Sequence, residues 1–124
     1  MLLTHQNAIQ LALHAQGMLT SHDEKPTKEA LLNMIRRIGV LQIDTIHIVA
    51  RSHHIVLWSR LGDHPIRWLF DLEAEGKLFE YWAHAACFIP IEDYPLFRRS
   101  ILDGLRGWKD GTDWLAKHTG VVAE

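Results

Sequence analysis

The sequence predicts a mainly α-helical domain with one small β-hairpin, arranged as a winged helix-turn-helix. Three observations carry that expectation. Capped apolar stretches at helical spacing fill the first half of the chain. Two of them are joined across a short turn containing Gly39, the order of a helix-turn-helix. Between Leu78 and Pro90 the apolar period drops to two, as in paired strands.

Thr4 is the N-cap of a first helix running to about Ala15, with Ile9, Ala12 and Leu13 on its apolar face and Gly17 just past its end. Residues 21–26 form a polar connection. Thr27 caps a second helix, where Glu29 in the first turn complements the dipole and Leu31, Met34, Ile35 and Ile38 make one face up to Gly39. Two readings compete next. Leu41 and Ile43 alternate with Gln42 and Asp44 as in a strand, whereas Ile46, Val49, Ala50 and His53 sit at helical spacing behind Asp44 as N-cap. The helical reading is preferred and places the helix-turn-helix near 27–53. Ile55, Trp58 and Leu61 extend the amphipathic pattern to Gly62, and Pro65 opens a further helix through Ile66, Leu69, Phe70 and Leu72 to Gly76. Phe79, Tyr81 and Ala83 then alternate with Glu80, Trp82 and His84, and Cys87-Phe88-Ile89 is a second short strand, giving a hairpin (the wing) near 78–90 that turns at about Ala85. Tyr94, Phe97 and Ile101 mark another helix closed by Gly104 and Gly107, and Thr112 caps a last one carrying Trp114 and Leu115.

At 124 residues and 48% hydrophobic content, the chain is one domain with a real core. Its 13 Lys+Arg against 15 Asp+Glu leave a formal charge of -2, so the totals do not announce a nucleic-acid binder, although a local basic face remains open. Nine histidines make the charge rise as pH falls toward their titration range. A single cysteine, Cys87, excludes an internal disulfide and points to a reducing compartment. No leader pattern is present and no run approaches the ~18 apolar residues of a membrane span, so a cytoplasmic location is expected. The sequence stops after Val121-Val122-Ala123-Glu124 without a helix-ending signal, and is expected to be the front part of a longer chain.

Gln42 and Asp44 place an amide and a carboxylate two positions apart inside an apolar run, where an unpartnered charge is costly to bury. On spacing alone, a helix cap is the commoner explanation. A capping carboxylate at the tip of a turn can also face a ligand, stabilise a cationic intermediate or activate a water that Gln42 helps to hold. Arg51, Ser52 and Arg60, in the basic stretch with His53 and His54, suit phosphate contacts after a turn; the alternative is a solvated helix face. His53 and His54 are adjacent and cannot face one ligand from a regular helix. His84-x-x-Cys87 with His53 lacks the further ligands of a structural zinc site, so no metal is expected. Glu80, Trp82 and His84 share one hairpin face, where a buried Glu80–His84 pair would brace the hairpin on the core. Trp58, Trp68, Trp108 and Trp114 suit core or interface anchors, and Arg36, Arg37, Arg98, Arg99 and Arg106 suit solvated charges.

Four blocks in order carry a family resemblance: Leu41-Gln42-Ile43-Asp44-Thr45-Ile46, Val49-Ala50-Arg51-Ser52, Leu57-Trp58-Ser59-Arg60-Leu61-Gly62, and Glu80-Tyr81-Trp82-Ala83-His84-Ala85-Ala86-Cys87-Phe88-Ile89-Pro90. Together they resemble the YcaQ and AlkZ type of winged-helix DNA glycosylases, bacterial enzymes that unhook interstrand crosslinks. The likeness extends from Ala12-Leu13-His14-Ala15-Gln16-Gly17 to Gly107-Trp108-Lys109. It implies a monofunctional glycosylase that removes N7-alkylated purines from double-stranded DNA, crosslinked ones included, as a monomer without metal or cofactor, at the bacterial nucleoid. The family's catalytic motif, Gln, an aliphatic residue, then Asp or, in the AlkZ branch, a second Gln, falls on Gln42, Ile43 and Asp44. Thr45, His47, Arg51, Ser52 and Arg60 are then candidate DNA contacts, and Glu80, Tyr81, Trp82 and His84 candidate supports of the site. Family members run to several hundred residues, with tandem winged-helix units and a β-barrel forming a concave basic surface, so residues 1–124 correspond to the first unit. A rival reading is a non-enzymatic regulatory module whose segment after Asp44 reads the major groove; a third is a protein-interaction domain in which Gln42 and Asp44 are only a turn and a cap.

Overall fold

Leu31, Leu32, Met34 and Ile35 are buried on one helix, and the rest of the fold is assembled against that stripe. In the computed structural model of the chain, residues 3–19 and 25–103 are described. In order they form α1 (His5–Ala15), α2 (Lys28–Ile38), β1 (Leu41–Gln42), α3 (Ser52–Leu61), α4 (Arg67–Ala74), β2 (Leu78–Trp82), β3 (Ala86–Pro90), a 3-10 turn (Ile91–Asp93) and α5 (Tyr94–Leu102). The expected helix at Thr112, the closing Gly104 and Gly107, Arg106, Trp108 and Trp114 lie outside the described residues, as does most of the 21–26 connection.

The chain divides into two units, residues 1–92 and 93–124. In the first, α2, α3 and α4 pack with a three-stranded antiparallel sheet of order β1-β3-β2, giving a winged-helix fold. Leu57 of α3, Leu69 and Leu72 of α4, Leu78 of β2 and Phe88 of β3 close the core around the α2 stripe. β3 is the central strand, which is why Cys87, Phe88, Ile89 and Pro90 are all buried. In the second unit, α5 starts with Pro95 in its first turn and carries an i,i+4 ion pair between Arg99 and Asp103.

Both threonine caps form as expected, Thr4 Oγ1 accepting from Asn7 N at 3.2 Å and Thr27 Oγ1 from Ala30 N at 3.1 Å. α1 forms over the expected span, but none of its residues is buried, Ile9 included. It is held at its C-terminal end instead. Arg37 donates to the carbonyls of His14 and Ala15, Arg60 donates to Gln16 O at 2.7 Å, and Gly17 lies so close to Met34 that an added Cβ would meet its Sδ at 2.8 Å. Arg37 is thus a cap for another helix's carbonyls. Arg36 pairs with Glu29 and Glu92, so neither arginine is merely solvated.

The helix expected from Asp44 begins only at Ser52. Leu41 and Gln42 pair with Phe88 and Cys87, and Ile43 N–H donates to Ala86 O at 2.7 Å, so the sheet takes the backbone groups ahead of Asp44. Thr45, Ile46, Ile48 and Val49 are β-branched and resist helix formation. The strand-like alternation therefore wins at Leu41–Gln42, and residues 43–51 are a loop. This also divides the helix-turn-helix expected near 27–53: α2 and α3 are separated by a strand and a loop. The two helices joined by a short turn are α3 and α4.

Gly39 ends α2 at φ 81°, ψ -52°, with its N–H on Ile35 O. That backbone state is strained for any residue with a Cβ, while the space around it is open. Gly39→Ala is therefore expected to destabilise the fold by about 1–2 kcal/mol through backbone strain alone, read as a lower urea midpoint at unchanged m-value. An unchanged midpoint would contradict the assignment.

Candidate functional site

The short β1 strand delivers Gln42 and Asp44 to one side of the sheet. With Gln16, Ile38, Val40, Leu41, Ser52, Val56, Arg60 and His84 they line an open cleft of ≈ 320 Å³. Gln42 is exposed at the sheet edge, and His84, in the turn between β2 and β3, lies 3.1 Å from its Oε1 through Nε2. An amide oxygen only accepts, so His84 donates, which orients the Gln42 side chain.

Asp44 is half-buried and caps no helix. Its Oδ1 accepts from Ile46 N at 2.9 Å, an Asx turn that pins the carboxylate to the start of the 43–51 loop. Among the described residues no hydrogen bond engages Oδ2. On the other side, Asp44 N–H points at Nδ1 of His53 at 3.5 Å. His53 is only 1% exposed, against Phe88 and His54, and burial, followed by the neighbouring His54 and Arg51, lowers its pKa to about 4 despite the opposing influence of Asp44. A neutral imidazole that accepts at Nδ1 carries its proton on Nε2, which is buried with no partner among the described residues. The carboxylate is thus fixed by a turn and by a buried histidine behind its backbone.

The other expected site residues are placed as follows. Thr45 and His47 are exposed on the loop, and His47 forms an isolated antiparallel bridge with Arg51, the residue preceding α3. Ser52 opens α3 on the cleft wall. Arg60 also lines the cleft, but its Nη1 donates to Val56 O at 2.9 Å while Nε bonds the end of α1, so it braces that wall. The expected Glu80–His84 pair does not form: both side chains are exposed on the outer strand and its turn, and His84 bonds Gln42 instead. Tyr81 is half-buried opposite Cys87, Trp82 is 57% exposed, and Trp58, expected as an anchor, is 60% exposed. Trp68 packs on the core and stacks on His64. Cys87 is buried, and burial pushes its thiol pKa up. Among the described residues no group of three or more His, Cys, Asp or Glu side chains is arranged to hold a metal ion, and no helix is long and apolar enough to cross a membrane.

The start of the loop ahead of α3, the Gln-x-Asp pair and the hairpin-turn histidine converge on one cleft of a winged helix. This is a nucleic-acid-binding fold class carrying a compact polar site. The family model described as DNA glycosylase AlkZ-like matches residues 35–124, well over half the chain and including Gln42, Asp44, Arg60 and His84. The chain belongs to the AlkZ-like DNA glycosylase family. No solved structure matches it.

Proposed function

We propose that this chain carries the catalytic site of a monofunctional DNA glycosylase that hydrolyses the N-glycosidic bond of N7-alkylated purines in double-stranded DNA and unhooks interstrand crosslinks. The observation that carries the reading is the convergence of Asp44, with no hydrogen bond on Oδ2 among the described residues, and a His84-oriented Gln42 on one cleft. Alkylation at N7 leaves the purine cationic, so the C1′–N9 bond breaks with its electron pair returning to the base. Positive charge then develops on the sugar. Asp44 stabilises that oxocarbenium-like centre and draws a proton from the water that adds to C1′; Gln42 positions that water. The products are the free alkylated base and an abasic site, and at a crosslink the same step frees one strand.

The cleft is open rather than an enclosed base pocket, which suits a labile lesion that is not fully extruded. With a net charge of -2, residues 1–124 supply few of the phosphate contacts that dominate DNA affinity. We assign the remaining grip to further tandem units of a longer, monomeric chain acting at the bacterial nucleoid.

The test uses the full-length protein with two duplexes, one bearing N7-methylguanine and one bearing an N7 crosslink. Time-dependent release of the methylated base and strand separation of the crosslink after heating are expected; absence of both would refute the reading. His84→Ala is expected to lower the single-turnover release rate about 3–10-fold, the worth of one hydrogen bond, with duplex affinity unchanged. Equal loss of affinity and rate would assign His84 to DNA binding instead.

A further inference from the structure

The most exposed large apolar side chains among the described residues are Ile48 at 90% and Val49 at 87%, and Ile46 beside them is 65% exposed. All three lie on the loop that Asp44 begins. The His47–Arg51 bridge closes this loop into a narrow projection, and the Asp44 Oδ1 bond to Ile46 N fixes its base, so the catalytic carboxylate and the tip belong to one turn. β-Branched side chains are stiff and lose little freedom when they are inserted between other groups. From Val40 to Gly62 the chain carries one carboxylate, Asp44, against two guanidinium groups, Arg51 and Arg60. An aliphatic tip with an arginine at its foot, Arg51 opposite His47, matches a polyanion with an apolar interior, which is a stacked duplex between its phosphates.

We propose that Ile48 and Val49 are a wedge that enters the duplex beside the damaged nucleotide and opens one base step, resting on the glycosylase reading of Asp44. Ile48 lies four positions along the chain from Asp44, a reach of at most ~13 Å at ~3.3 Å per residue. That confines the opened step to within about four base pairs of the sugar over Asp44, at ~3.4 Å per step. Aliphatic residues inserted between base steps unstack them and kink the helix. Opening a step exposes C1′ to the half-buried Asp44 while the base stays near its stack, which fits an open cleft and a base still tied to the opposite strand.

The test places 2-aminopurine next to a tetrahydrofuran abasic analogue and follows its fluorescence on saturation with the full-length protein, alongside N7-methylguanine release from a matched duplex. The native protein is expected to raise the fluorescence several-fold. Ile48→Ser with Val49→Ser is expected to remove most of that rise and to slow release at saturation about 10-fold or more. Ile48→Met with Val49→Leu should retain both. Because both positions are exposed, thermal melting should be unchanged in each variant. No rise with the native protein, or an undiminished rise with the serine pair, overturns the wedge and assigns the tip to a protein or membrane contact. Asp44→Asn separates the two readings: retained fluorescence with lost release supports both, whereas native release in that variant refutes the catalytic role of Asp44 irrespective of the fluorescence.

Discussion

Asp44→Asn is expected to slow release of N7-methylguanine about 10³-fold while leaving affinity for damaged duplex within about threefold. The substitution is nearly isosteric. An asparagine Oδ1 still accepts the Ile46 N–H that Asp44 accepts at 2.9 Å, so the loop and the backbone link toward His53 persist and only the charge is removed. Losing one preorganised group aimed at transition-state charge typically costs 10²–10³-fold, and losing a general base 10²–10⁴-fold; Asp44 is assigned both roles. The charge matters more as the sugar becomes cationic than in the bound ground state. The loss should therefore fall on the single-turnover rate and not on Kd. A variant that releases base at the native rate would leave Asp44 as a turn residue only.

The second large effect is on stability in acid. His53 has a pKa of about 4 in the folded chain against about 6.5 when unfolded, with burial as the leading cause. Between those values the unfolded state binds the extra proton, so stability rises with pH. The contribution is complete above about 6.5 and is lost as pH falls toward 4. At ~1.36 kcal/mol per unit, the shift amounts to about 3 kcal/mol, a large fraction of a small domain's stability. His54 is shifted in the same direction, also mainly by burial, and adds to the loss. Urea unfolding at pH 7 and pH 4.5 checks this, and His53→Gln should flatten the difference although it lowers stability at pH 7. Protonated Nδ1 no longer accepts from Asp44 N–H, so base release should fall on the same acid limb before global unfolding. An acid limb unchanged in His53→Gln would assign the sensitivity to other groups.

The parts of this fold that were legible in the sequence are the local ones. Thr4 and Thr27 cap helices because a hydroxyl reaches a backbone N–H three residues ahead, an interaction that needs no tertiary partner. The stripe of Leu31, Met34 and Ile35 is buried because helical spacing puts those residues on one face. The change to period two at Leu78 marks a hairpin because its two strands are neighbours in sequence. The apolar face of α1 is not buried, since periodicity shows that such a face exists but not whether anything covers it.

The site divides in the same way. Gln42 and Asp44 stood out as polar groups in an apolar run, and both lie in the span that the family model matches. Their geometry depends on residues far along the chain. β1 exists only because Phe88 and Cys87 lie opposite Leu41 and Gln42, and Gln42 is oriented by a histidine 42 positions away. Strand pairing of that range leaves no periodic trace in two residues, so the helix predicted from Asp44 gave way to a turn. Sequence alone determined which residues cap, which face is apolar and where the carboxylate and amide sit, because those follow from backbone period and side-chain chemistry. Tertiary structure decided that Asp44 turns rather than caps, that His84 serves Gln42 rather than Glu80, and that Ile48 and Val49 project outward. Each of these outcomes depends on partners distant in sequence, which local period and propensity do not record.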